Sequence, residues 1–164
     1  MHQRQYIKNK LKELDKTLNN SRTLLILMHD YPDPDAIASA MILSFLAQKR
    51  QGIKTRIAYG GVITRAENRA LVQQVGLKLI HKKNVRWKNY QSIAMVDTQP
   101  SFGNHSLPKA IIPKNVFDHH PPGDCLSIDF VDIRTEFGTC ATMLLEYIKA
   151  AGLEISVDIA TALA

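Results

Sequence analysis

The stretch Leu24-Leu25-Ile26-Leu27-Met28-His29-Asp30-Tyr31-Pro32-Asp33-Pro34-Asp35-Ala36 decides the fold. It opens as a short, uniformly apolar run preceded by Ser21, the pattern of a strand buried on both faces of a parallel sheet. One His and three Asp follow within seven residues. Two prolines stiffen the backbone there, and an apolar-periodic helix begins at Ala36. A strand that ends in acidic and imidazole groups at the mouth of a helix stands where open α/β sheets bind their ligands.

Working outward, Ile7, Leu11, Leu14 and Leu18 recur at helical spacing, so residues 2–20 read as an amphipathic helix ahead of the strand. The helix after the strand runs to Arg50 and stops at Gly52. Lys54–Tyr59 reads as a second strand, Arg65–Val75 as a helix stopped by Gly76, and Leu77–Ile80 as a short third strand. The basic stretch from His81 to Tyr90 reads as irregular. Ser92–Val96, Asn115–Phe117 and Asp129–Ile133 are further strands, the last of edge type. Helices follow from Gly138-Thr139 to about Ala151 and from near Ser156 onward. Strands alternating with helices predict an α/β domain, a Rossmann-like parallel sheet with helices on both faces.

Composition narrows the function classes. The 164 residues are 45% hydrophobic and 22% charged, enough for one ordinary domain with a sizeable core. The charge-free run Ala36–Gln48 is too short to cross a bilayer, and the polar N-terminus does not read as a secretory signal, so no membrane is expected. Cys125 and Cys140 lack CxxC spacing, which argues against a disulfide or zinc framework and for a cytoplasmic protein. The net charge is +6. Arg4, Lys8, Lys10, Lys12, Lys16 and Arg22 all lie within the first 22 positions and read as a solvated face, so charge alone points only weakly to an anionic ligand.

Three strand ends carry ligand-type residues: His29 with Asp33 and Asp35, then Asp97, then Asp118-His119-His120. A lone Asp after a strand is ordinarily a cap or turn former. Three such clusters at one sheet end would repel one another unless a cation neutralises them. A mixed His/Asp set suits Mn²⁺, with Mg²⁺, Co²⁺ or Zn²⁺ less favoured. Asp33 and Asp35, two apart on a stiffened turn, can serve two different ions, and Asp97 from a middle strand is placed to bridge them. Two ions about 3.5–4 Å apart clamp the attacking and leaving oxygens of a phosphate displacement.

The order His29-x-x-x-Asp33-x-Asp35-Ala36 with Ser39, Val96-Asp97-Thr98-Gln99 and Asp118-His119-His120 resembles the first three motifs of the DHH phosphoesterase family. Its members include oligoribonucleases that also act as pAp phosphatases, RecJ-type exonucleases, cyclic-dinucleotide phosphodiesterases and manganese-dependent inorganic pyrophosphatases. The apolar periodicity sets off residues 1–22 as an N-terminal amphipathic helix, and the resemblance implies 23–164 as the catalytic domain. It implies His29 and Asp33 on a first ion, Asp35 and His119 on a second, Asp97 on both, and Asp118 orienting an imidazole. His120 would meet the substrate phosphate, as a donor to its oxygens or to the leaving group. The segment Gly103-Asn104-His105-Ser106-Leu107-Pro108 is similar to one in oligonucleotide-hydrolase-like members and carries no evident chemistry.

One departure stands out. The family's fourth motif, a Gly-Ile-x-x-Asp-Thr segment, follows a helix resembling Asp158–Ala164, and the sequence ends before it. A C-terminally incomplete domain is therefore the expectation, without the small C-terminal substrate-binding domain of many members. Ile155, Val157, Ile159 and Leu163 would be exposed and a homo-oligomer could form over them. Asp132 and Asp158 are the nearby substitutes for the missing ligand, although a strand end and a helix start explain each. Of the remaining polar residues, Arg65 reads as an ion-paired face or, less favourably, a phosphate contact. His81 and His105 read as solvated, and Thr139 as a helix start that could offer free N–H groups to an anion. The function expected is metal-dependent hydrolysis of short oligonucleotides, adenosine bisphosphate or (cyclic) dinucleotides. The alternatives are a manganese-dependent pyrophosphatase-like enzyme and a non-catalytic metal- or nucleotide-binding regulatory module.

Overall fold

The computed structural model describes residues 2–125 and 127–163. Its helices are α1 (His2–Leu18), α2 (Pro34–Gln51), α3 (Ala66–Gln74), α4 (Cys140–Ala150) and α5 (Val157–Ala162). Its strands are β1 (Thr23–Leu27), β2 (Lys54–Tyr59), β3 (Leu79–His81), β4 (Ser92–Val96), β5 (Asn115–Asp118) and β6 (Phe130–Ile133). The six strands form one sheet in the order β3-β2-β1-β4-β5-β6, and every pairing is parallel.

Strand order reverses between β1 and β4, where the chain leaves one half of the sheet and starts the other. That reversal opens a crevice beyond the carboxyl ends of the two strands. Right-handed crossovers put the connections of the two halves on opposite faces. The connecting helices α2 and α3 lie on one face, and α1, α4 and α5, which connect no strands, pack there too. The α-helices thus cover one face and not both, as the alternation of elements suggests; the core on that face takes Leu24, Ile26, Ile57, Val96 and Phe117 from the sheet. The other face takes Leu25, Leu27, Ala58, Met95 and Val116, and it is covered by 3₁₀ turns and loops through Val85, Trp87, Tyr90, Leu107 and Ile111. The stretch read as irregular, 81–90, therefore has a packing role. Alternate residues of β1 enter the two cores, which is why that strand is apolar throughout.

Local chemistry sets the boundaries. Asp33 caps α2, accepting from Ala36 N at 2.9 Å, and Pro34 occupies the first turn, so the helix starts two residues before Ala36. Gly52, at φ +66°, closes it. Strand β3 starts later than Leu77 because that residue still belongs to the end of α3. Leu77 N donates to Val72 O at 3.0 Å while Gly76 turns through φ +60°. Ile155, ahead of α5, and Val157, its first residue, are exposed as expected, whereas Leu163 is partly buried against the core. Ile159 is buried instead, because α5 packs on α2. No helix among the described residues is long and apolar enough to cross a membrane.

Candidate metal centre and active site

The crevice between β1 and β4 holds about 420 Å³ and is lined by His29, Asp33, Asp35, Asp97, Asn104, His119, His120, Gly138 and Thr139. The expected ligand residues thus lie together. Their placement follows from strand pairing: His29 leaves the end of β1, Asp97 the end of β4, and His119 the end of β5.

Asp97 is the pivot. It is buried and adopts φ +57°, a left-handed conformation that Asp tolerates better than most residues and that turns its carboxylate into the crevice. Its Oδ2 lies 3.6 Å from His29 Nε2, and its Oδ1 lies 3.3 Å from His119 Nε2. His29 Nε2 is also 3.8 Å from Asp33 Oδ1, and His119 Nε2 is 3.6 Å from Asp35 Oδ2. Each imidazole spends its other nitrogen on a main-chain carbonyl: His29 Nδ1 on Asp30 O at 2.8 Å, His119 Nδ1 on Phe137 O at 3.2 Å. That leaves both Nε2 atoms facing the carboxylates.

These separations exceed hydrogen-bond length; the 3.3 Å between Asp97 Oδ1 and His119 Nε2 falls within the ligand–ligand edges, about 3.0–3.5 Å, that follow from bonds of about 2.1 Å to a divalent ion, and the others, at 3.6–3.8 Å, lie just beyond them. Asp97 Oδ1 is buried without a hydrogen-bond partner, a condition a cation relieves. His29, Asp33 and Asp97 can converge on one ion, and Asp97, His119 and His120 form a second convergent set; His120 Nδ1 is taken by Asp118 at 2.8 Å, however, and Asp35 Oδ2 stands 3.6 Å from His119 Nε2 beside the same pair. The donor set fits a divalent metal.

Electrostatics agree with that geometry. Burial disfavours the His29 imidazolium, but Asp33 and Asp97 hold its pKa up to about 10. The same pairing, with the α2 N–H groups, draws the Asp33 carboxyl down to about 2. Burial, and then the neighbouring Asp35 and Asp33, push Asp97 upward despite the attraction of His29. The centre is short of positive charge.

Asp35 divides its carboxylate. Cys140 N donates to Oδ2 and Ala141 N to Oδ1, each at 2.8 Å, while Ser39 Oγ approaches Oδ1 at 3.4 Å. The start of α4, whose cap is Thr139, is therefore occupied by Asp35 and offers no vacant N–H pair to an anion.

Asp118 lies wholly inside the protein. Its Oδ1 accepts from His119 N and His120 N and meets His120 Nδ1 at 2.8 Å, while its Oδ2 accepts from Gln99 Nε2 at 2.6 Å. All of its capacity goes into setting the turn and the ring of His120. Gln99, quoted in the second motif without a role, completes that support. Its Oε1 accepts from Gly123 N at 2.6 Å and so holds the loop beyond His120. Burial lowers the pKa of His120, but Asp118 more than compensates and raises it. The ring stands edge-on to Phe102, with centroids 6.2 Å apart.

Other residues lie elsewhere. Arg65 is exposed at the N-cap of α3 and does not line the crevice. Asp132 is engaged by Tyr147 and Tyr6 and sits 3.3 Å from Arg134 Nε, so it is no substitute ligand. Asp158 is exposed in the first turn of α5. His81 and His105 are hydrogen-bonded rather than solvated, His81 to Gly61 O and His105 to Pro100 O.

Residues 23–164 match the model of the DHH family, N-terminal domain. The chain belongs to the DHH family. An uncharacterized protein of Methanocaldococcus jannaschii is 40% identical over 158 residues, which are 95% of this chain and 32% of that protein. The DHH chain thus spans about a third of that relative. An exopolyphosphatase-related protein from Bacteroides fragilis superposes with a TM-score of 0.71 at 16% identity, covering 94% of this chain and 48% of that one. It shares the fold of this DHH domain.

Proposed function

We propose that this DHH domain is the catalytic part of a divalent-metal-dependent phosphoesterase acting on short oligonucleotides, adenosine bisphosphate or (cyclic) dinucleotides. The observation that carries the reading is the position of Asp97, with one carboxylate oxygen toward His29 and the other toward His119. A carboxylate shared in this way, buried with an unsatisfied oxygen, is suited to two cations and to little else.

His29, Asp33 and Asp97 would hold one ion, and Asp35, Asp97 and His119 the other, with Mn²⁺ favoured by the mixed donor set. Bound divalent ions supply Lewis acidity toward phosphoryl oxygens and make water a stronger acid at neutral pH. The chain's own groups do the rest. Asp118 fixes His120 Nδ1, which directs the ring's other nitrogen away from Asp118 as a donor to a phosphoryl or leaving-group oxygen. Gln99 and Gly123 keep that ring in place.

Mn²⁺ titration followed by electron paramagnetic resonance, together with hydrolysis of a 5′-phosphorylated diadenylate, tests the reading. Saturable Mn²⁺ binding and Mn²⁺-dependent release of AMP are expected. Absence of Mn²⁺ binding at millimolar concentration would overturn it.

A further inference from the structure

An anionic substrate needs donors, and the crevice is poor in them. No Lys or Arg is among its lining residues. The first N–H groups of α4 are taken by Asp35. Thr139 Oγ1 accepts from Thr142 N at 3.1 Å and donates to Thr142 Oγ1 at 2.8 Å. Besides the histidines, one hydrogen-bonding side chain in the lining is left, that of Asn104.

We propose that Asn104 is a substrate-binding residue, whose side-chain N–H donates to a non-bridging oxygen of the phosphoryl group held in the crevice. The proposal rests on the phosphoesterase reading above and gives a role to the segment 103–108. Two bonds orient this residue. Thr98 Oγ1, from a fully buried residue beside Asp97, donates to Asn104 Oδ1 at 2.5 Å. Asp30 N donates to Asn104 O at 2.7 Å. With Oδ1 committed to Thr98, Nδ2 has no hydrogen-bond partner among the described residues, and Asn104 is an exposed residue of the crevice lining.

The rest of the segment holds Asn104 there. Ser106 Oγ donates to Asp30 Oδ1 at 2.6 Å, and His105 bonds Pro100 O at 3.0 Å. The segment thus straps the end of β1 to the end of β4. Gly60 marks how closely it passes: a Cβ there would meet Asp30 Oδ1 at 2.0 Å and Ser106 Oγ at 2.1 Å. A donor fixed before the ligand arrives loses little freedom on binding. Its neutrality also matters. A Lys or Arg in this position would repel the cations that Asp33, Asp35 and Asp97 are placed to hold, whereas an amide donates without opposing them.

The test compares wild type with Asn104→Ala and Asn104→Asp, using inorganic phosphate as the probe. Phosphorus-31 relaxation by protein-bound Mn²⁺ reads phosphate binding directly, and Mn²⁺ affinity and thermal stability in chelator are measured alongside. Asn104→Ala should weaken phosphate binding about tenfold, and Asn104→Asp by more, because it keeps an oxygen for Thr98 while presenting negative charge to the phosphate. Mn²⁺ affinity of Asn104→Ala should stay within about threefold of wild type. Phosphate affinity unchanged in both variants would overturn the assignment, as would a loss that only parallels lost Mn²⁺ binding or folding. Failure of the underlying phosphoesterase reading would show separately, as absence of Mn²⁺ binding by the wild-type protein.

Discussion

Asp35 holds the first two N–H groups of α4, those of Cys140 and Ala141, with one carboxylate oxygen each. A residue at the start of α2 thereby pins a helix 105 positions later in the chain, and pins it beside His119. The carboxylate stabilises that helix end through its charge as well as its hydrogen bonds.

Asp35→Ala should therefore destabilise the metal-free protein by about 1–3 kcal/mol, since it leaves two donors without partners. Asp33→Asn should cost less, because Asn keeps the α2 cap and what is lost is the charge paired with His29, while no main-chain donor is left bare. Urea denaturation in the presence of a chelator measures both. Equal losses for the two variants would mean that the Asp35 contact contributes nothing beyond charge at the centre.

Asp97→Asn should behave in the opposite sense. Burial and the carboxylates of Asp35 and Asp33 raise the pKa of Asp97, so its ionised form is disfavoured in the native state. The sign follows: that penalty is absent below the ordinary carboxylate pKa of 3.8 and is present in full once the pH exceeds the raised value. The variant should be more stable than wild type in chelator at pH 7, yet bind neither ion tightly. Thermal melts with and without Mn²⁺ separate the two effects. A variant that is less stable without metal would contradict the account of Asp97.

A third expectation concerns alkaline pH. Burial, and then Asp132, raise the hydroxyl of Tyr6 to about 12 and push that of Tyr147 upward as well. Both donate to Asp132, so α1 and α4 are tied to β6 through one carboxylate. The native state holds these protons more tightly than the unfolded chain, whose tyrosines ionise near 10. The resulting stability is complete below pH 10 and is lost as the pH rises toward 12. Denaturation midpoints should fall over that window, and fall less steeply in Tyr6→Phe. Identical slopes for wild type and variant would refute the linkage.

Much of the molecule was legible in its sequence because the deciding physics acts between near neighbours. The apolar run Leu24–Met28, the capping Asp33 before Pro34, and the glycines that end α2 and α3 announce their elements through pattern and turn chemistry. The clustering of His29, Asp33, Asp35, Asp97 and His119 at strand ends followed from those elements once the sheet was taken as parallel. The apolar pattern places the start of β3 at Leu77, two residues early, because the closing bond of α3 that claims Leu77 leaves no mark in that pattern. The burial of Ile159 is invisible in local sequence because its partner, α2, lies more than a hundred residues away in the chain.

The sequence by itself determined the parallel α/β class and the residue types at the crevice, since both depend on local periodicity and on which side chains end each strand. Tertiary structure alone decided what each of those residues does. Only the pairing of β1 with β4 and of β4 with β5 sets Asp97 between His29 and His119. Only the packing of α4 gives Asp35 its two N–H partners, and only the strap across β1 and β4 brings Asn104 to the crevice. Hydrogen bonds between residues distant in the chain are chosen by strand order and packing, and no local pattern encodes their partners.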